Sequence, residues 1–351
     1  AQSYTVSSGS QLMGLAQLVS AGTDFSDKTV TLASDVVFIR TDITVIGDAS
    51  HPFNGTFDGG GHSIRGYSYT TTADAGERAE NIALFGVCGK DSLIKNVSVS
   101  GATITVTRSA ASAQAVTGVA ALVANTQGSV ENCTVDASVN VRVDTPQTAS
   151  LFSVINNIGG VAGYVGGDVK NCNFRGSVTT YTNTAGSDAT DGNGRSPGLV
   201  VAQHIGGVAA ACAGDISKCG FFGSINAQSP CEAGVDRFGE AISAKTESVG
   251  GVVGYTDGSV SDSYTNGSVY APQGTMVGGV VGSLRSISIG GLGDTTTMDN
   301  GKADDVLSIS RCYATKAASV EGLHAGGGIV GAAGSYTTVT ECYNQGSVQV
   351  N

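Results

Sequence analysis

Tryptophan is absent from these 351 residues, proline occurs five times and methionine three. Charged side chains make up 13% of the chain, against ~25% in an average globular protein. No stretch approaches the ~20 consecutive apolar residues of a membrane helix, so this segment is not expected to insert in a bilayer. The opening AQSYTVSSGS has neither a basic nor an apolar leader region, which leaves the compartment open. Lysine and arginine never form a run, and 18 basic against 29 acidic residues give a net charge of −11. That balance argues against nucleic acid and anionic membrane surfaces as partners. Low charge here does not mean disorder, because 40% of the residues are hydrophobic.

Glycine is what the chain has in excess: 52 residues, where ~7% is usual. It recurs in a phrase. Aligned on a glycine pair, the copies are IGGVAGYVGGDVKNC (158–172), IGGVAAACAGDISKC (205–219), VGGVVGYTDGSVSDS (249–263), VGGVVGSL (277–284) and GGGIVGAAGSYTTVTEC (326–342). Two looser copies, at 82–97 and 117–133, precede them, and a second half ending GSV or similar follows most copies. Internal repetition on this scale means a solenoid or a propeller. The core unit is too short for a four-stranded propeller blade, and its apolar residues alternate over strands of four to six residues. Short strands, each pairing with its equivalent in the next copy, make a parallel β-solenoid. Glycine then serves positive-φ turns and close packing between coils.

Two columns are expected to point inward. One is Val97, Cys133, Cys172, Cys219, Ser263, Cys312 and Cys342; the other, two residues on, is Val99, Val135, Phe174, Phe221, Thr265, Ala314 and Asn344. Asn96, Asn132 and Asn171 just before the first column suit a left-handed turn and can stack their amides. At the N-terminus SQLMGLAQLVSAG (10–22) reads as an amphipathic helix, with Ser10 as N-cap and Leu12, Leu15, Ala16, Leu18 and Val19 at helical spacing. Such a helix would lid the first coil. The domain reading is one continuous domain: a cap over 1–27, first coils over 28–70 and a repeat solenoid with long inserted loops over 71–351. GSVQVN stops mid-pattern, so the repeats are expected to continue past Asn351.

The phrases GGVAGYVGGDVKNCNFRGSV, GGVVGYTDGSVSDSYTNGSV and GGIVGAAGSYTTVTECYNQGSV resemble the GLUG-motif proteins, a repeat family of bacterial surface and secreted proteins, and PFNGTFDGGGHSIRGYSY (52–69) is similar to their usual lead-in. The resemblance covers roughly 28–351. It implies a right-handed β-helix, export to the cell surface or medium, an adhesin-like role, and no catalytic residues.

Chemistry-bearing residues are sparse. Cys88 and Cys212 align with Val123 and Val165, five other cysteines share the inward column, and parallel Cβ vectors on successive coils disfavour disulfides. Buried reduced thiols are expected, with Cys231 accessible in a spacer. No C-x-x-C or H-E-x-x-H occurs, so neither metal nor cofactor is expected. Asp58 and His62 in FDGGGHSI read as a turn, and His51, His62, His204 and His324 as surface or turn residues, the last two at equivalent points of two copies. The Asp- and Gly-rich stretches 186–198 and 293–305 read as solvated loops. Most excess sequence falls after the second strand, at 103–116, 142–156, 180–203 and 228–247. These inserts should leave one corner and form a common rim, with 285–305 leaving from another.

Candidate ligand-binding residues are Tyr181, Arg195, Arg237 and Phe238 on the rim, and an outward stack of Tyr264, Tyr313 and Tyr343. The expected fold is all-β, a right-handed parallel β-helix with an N-terminal helical cap. The expected function is a non-enzymatic, adhesin-like protein at the bacterial surface that binds a host surface protein or glycan. Alternatives are a polysaccharide lyase or glycoside hydrolase on the same scaffold, and a structural stalk.

Overall fold

Parallel pairing between equivalent residues of successive repeats organises the chain in the computed structural model, which describes residues 3–73, 81–109, 115–145, 153–184, 200–229, 234–235, 241–242, 245–285, 288–289, 292–293 and 305–351. Over these residues the strands form four parallel sheets of ten, thirteen, six and seven strands, here sheets I to IV, visited in that order on each turn from Leu93 onward, and two small antiparallel pairs, Gly234–Val235 with Ala241–Ile242 and Ser288–Ile289 with Leu292–Gly293. One turn runs Leu93–Lys95 (I), Ser98–Ser109 (II), Ala115–Val119 (III) and Val123–Thr126 (IV). The fold is a parallel β-solenoid, as the repeats predicted. The expected register holds along the second column, where Val99, Val135, Phe174, Phe221, Thr265, Ala314 and Asn344 are successive partners.

Each corner has its own physical solution. Between sheets I and II, one residue per coil takes a left-handed conformation. Asn96, Asn132 and Asn171 do so, and the position continues as Lys218, Asp262, Arg311 and Glu341, with φ between 50° and 56° throughout. The asparagines repay that conformation with an amide ladder. Asn96 Nδ2 donates to Asp58 Oδ1 (2.9 Å), Asn132 Nδ2 to Asn96 Oδ1 (3.3 Å) and Asn171 Nδ2 to Asn132 Oδ1 (2.9 Å). Between sheets IV and I, a side-chain oxygen accepts from the backbone amide one coil on, in the series Ser129, Asp168, Asp215 and Ser259.

The glycine pair forms the corner between sheets III and IV, and its requirement is space rather than positive φ. A Cβ on Gly206 would overlap the carbonyl oxygen of Ala209, and one on Gly207 would overlap the Phe221 ring and the Gly251 carbonyl of the next coil. Main chain packs on main chain here, leaving no room for a methyl group.

The interior is a continuous core in which Phe174 and Phe221 stack at 6.3 Å. The inward thiols Cys133, Cys172, Cys219 and Cys312 are buried and unpaired, each donating to the carbonyl two residues back. Ser263 fits the same column because its hydroxyl donates to the Ser261 carbonyl (2.8 Å) and accepts from Cys219 N (3.1 Å). Cys88 and Cys212 also point inward, but their column runs through Thr126 and Val165. Val123 pairs elsewhere, with Phe85 and Ala162.

The helix spans Gly9–Ser20 and buries Leu12, Leu15, Ala16 and Val19, while Leu18 is exposed. Its N-cap is Ser8, not Ser10: the Ser8 hydroxyl accepts from Gln11 N, two positions earlier than the apolar spacing suggested. Before it, Ser3–Val6 pairs in sheet I with Thr29–Leu32. Beneath the helix the first coils are filled by Phe25, Phe38, Phe53, Phe57, Tyr67 and Phe85.

Two outcomes follow. Gly206→Ala should lower stability by about 3 kcal/mol through overpacking, whereas Gly14→Ala, in an open helical position, should raise it by up to about 1 kcal/mol; urea unfolding followed by circular dichroism measures both. Burial pushes the Cys88, Cys212 and Cys219 thiols well above their ordinary range and Cys312 up to about 12. Iodoacetamide at neutral pH should therefore spare these four, Cys133 and Cys172 in the folded protein, and should label the half-buried Cys342. Cys231 lies outside the described residues. Labelling of Cys172 without denaturant would contradict the buried column.

Candidate functional site

The inserts are not simple loops. Ser98–Ser109, Thr134–Thr145 and Asn173–Thr184 run on in register well past the coil. Ser153–Gly159, Val200–Gly206 and Lys245–Gly250 return beside one another in sheet III. The two extensions form a flange. Its interior holds Ile104, Val106, Val139, Val141, Val143 and Val178, and its facing strands are tied by Thr182 Oγ1 to Gln203 Oε1 (3.1 Å) and Ser229 Oγ to Glu247 Oε2 (2.7 Å). Outgoing strands end at matched residues (Ser109 with Asp144, Thr145 with Thr184), and incoming ones start at matched residues (Ala115 with Val154, Ser153 with Val200). The connections between them therefore leave and return along one rim. The insert after Leu284 departs at the corner between sheets IV and I instead, as expected, and its strand Leu292–Gly293 lies against Lys245–Gly250.

Tyr181 sits on the outer face of the flange with the Arg142 guanidinium over its ring at 4.4 Å. Arg195, Arg237 and Phe238 lie outside the described residues. Tyr264, Tyr313 and Tyr343 face outward on sheet II and stack, at centroid distances of 5.0 and 5.3 Å with planes within 8°. Phe222 meets Tyr264 edge-on at 5.2 Å and is itself covered by Arg175 at 4.3 Å. The column is thus one aromatic stack whose ring faces are largely turned to each other. What it offers a ligand is ring edges and a row of phenol hydroxyls.

Asp58 and His62 are drawn into separate networks. Asp58 holds Lys95 (3.4 Å) and the Asn96 amide, whereas His62 lies 3.7 Å from Asp35, which also pairs with Arg65 at 2.9 Å. No pair of catalytic groups results.

His204 is the residue that the sequence misplaced. It is buried, not a surface or turn residue, and its register partners are Asn157 and Ser248. His324 is exposed and occupies a different position, since Met276, the next partner in that column, pairs with Ala325. The His204 ring stacks on Tyr255 at 4.9 Å, its Nδ1 lies 3.0 Å from Asn157 Oδ1, and the Tyr255 hydroxyl donates to the Asp257 carboxylate at 3.1 Å. The usable signal was register: counted back from the glycine pair, His204 shares a column with Asn157 and Ser248, which a surface turn would not require.

The strand path places the known motif. The GLUG motif matches residues 156–179. This chain carries the GLUG motif. The matched segment runs through sheets III, IV, I and II once, so one motif is one turn of the solenoid. Comparison with curated proteins gave no match. Among solved structures, a crystal structure of a provisionally named immunoglobulin A1 protease from Bacteroides ovatus is similar, with a TM-score of 0.50 and 16% identity, covering 97% of this chain and 83% of that one. At that identity the likeness concerns the fold alone. Among the described residues no helix is long and apolar enough to cross a membrane.

Acid should report on the carboxylates that tie coils together. Burial works against the Asp58 carboxylate, but the Asn96 amide, the Gly60 N–H and Lys95 outweigh it and hold its pKa below the ordinary 3.8. A hydrogen bond from Arg311 holds Asp262 below it as well. A carboxylate whose folded pKa is depressed stabilises the fold above its unfolded pKa and loses that contribution as pH falls through the folded value. The urea midpoint should therefore drop as pH goes below about 4, and Asp58→Asn should make that drop shallower. Equal acid slopes in the two proteins would remove Asp58 from this role.

Proposed function

We propose that this chain is a non-enzymatic, adhesin-like module exported to the bacterial surface, which binds a host surface protein or glycan through the rim of its flange. The observation that carries the reading is the matched start and end of the connections at 110–114, 146–152 and 185–199, with 230–244 returning beside them where Lys245 pairs with Val201. Each connection is anchored at both ends on strands paired in register, so the anchor points of successive repeats stand side by side. A rigid scaffold carrying variable connections along one rim is how repeat proteins commonly build a binding face. The carboxylates support a binding role over a catalytic one: Asp58, Asp168, Asp215 and Asp262 are each engaged in bonds between coils.

The test is a variant with 185–199 and 230–244 replaced by short Gly-Ser turns, compared with the parent on host cells and on arrays of short host-cell glycans. Binding should disappear while the far-ultraviolet circular dichroism and urea midpoint stay unchanged. Undiminished binding by the trimmed protein, or no binding by the parent, would defeat the reading.

A further inference from the structure

A second surface lies away from the rim, on the outward face of sheet II over the last three turns. Four rows run along the solenoid axis there. The first is Tyr264, Tyr313 and Tyr343, and the second is Asn266, Thr315 and Gln345. The third is a hydroxyl row, Ser224, Ser268, Ser319 and Ser347, in unbroken register. The fourth is Tyr270, Glu321 and Gln349. Within and between these rows Lys316 and Glu321 are the charged residues; at the corner beside the tyrosine row lie Asp262, Arg311 and Glu341, of which Asp262 and Arg311 neutralise each other in an ion pair.

We propose that this face binds an uncharged, hydroxyl-rich polymer, a neutral polysaccharide lying along the solenoid axis. Three properties argue for that occupant. Parallel coils repeat every ~4.8 Å, so the surface presents the same groups at short regular intervals, which suits a polymer with a short repeat rather than a single compact ligand. Serine, threonine and tyrosine hydroxyls and asparagine and glutamine amides both donate and accept, as sugar hydroxyls do. A polyanion or polycation would find almost no opposite charge. Because the tyrosine faces are turned to one another at 5.0 and 5.3 Å, recognition runs through the hydroxyls instead of through sugar stacking. None of these three hydroxyls is held by another described residue.

The experiment measures retention of the protein on cellulose, xylan, galactomannan and starch, beside the charged polymers alginate and chitosan. At least one neutral polymer should retain it, with little change at about 1 M salt, where screening reaches within about 3 Å. The combined Tyr264→Phe, Tyr313→Phe and Tyr343→Phe variant keeps the stack and removes the hydroxyls, and should bind about tenfold more weakly with unchanged circular dichroism. The rim-trimmed protein should bind like the parent, which separates this surface from the one proposed above. Failure to bind any neutral polymer, preference for a charged one, or full retention of the triple variant would overturn the proposal.

Discussion

At the glycine pair where sheet III turns into sheet IV, main chain packs on main chain with no room for a methyl group. Much of the cross-section follows from it. Because Gly206 and Gly207 lie against the Ala209 carbonyl and the next coil, the returning strand of sheet III is held tight against sheet IV. That holds the incoming strand of each insert at a fixed place, and the outgoing strand of sheet II packs opposite it. The flange, its interior of valine and isoleucine, and the alignment of its rim all inherit their position from this corner. The turn between sheets I and II is far more permissive. It needs one residue in the left-handed region, and asparagine, lysine, aspartate, arginine and glutamate all serve.

Much of the architecture was legible because inward positions tolerate few residue types. The columns headed by Val97 and Val99 were readable from alternation alone, and Ser263 in a column of thiols follows the same geometry with a shorter hydrogen bond. Outward tyrosines were readable from the same phase. What alternation does not carry is the fate of an outward residue. Tyr264 and His204 both lie off the main core, yet one lines an accessible face while the other is buried, its ring stacked on Tyr255 across the corner between sheets III and IV. The inserts looked like loops because their lengths vary. The residues around their starts nevertheless alternate as Ile104, Val106 or Val139, Val141, Val143, and that pattern was the sign of a strand continuing outward.

The polar residues divide according to the same geometry. Aspartates and asparagines at corners spend their hydrogen-bonding capacity on the neighbouring coil, which is why Asp168 and Asp215 are structural despite lying near the surface. On the flat face of sheet II the Thr315 hydroxyl donates to Asn266 Oδ1, while the tyrosine hydroxyls are held by no other described residue and the backbone groups of the central parallel strands are paired on both sides. A solenoid of this kind therefore separates its labour by position: corners hold the stack together, and faces and rims are left for other molecules.

The inter-coil hydrogen bonds of all four sheets point along one direction, the axis on which the turns are stacked. A pull along that axis loads successive ranks of bonds in series, and the terminal turn, held by a neighbour on one side only, peels first. Each turn released adds a length of extended chain and leaves the remaining stack intact, because a repeat depends chiefly on the turns beside it. Under tension such a molecule pays out slack one coil at a time.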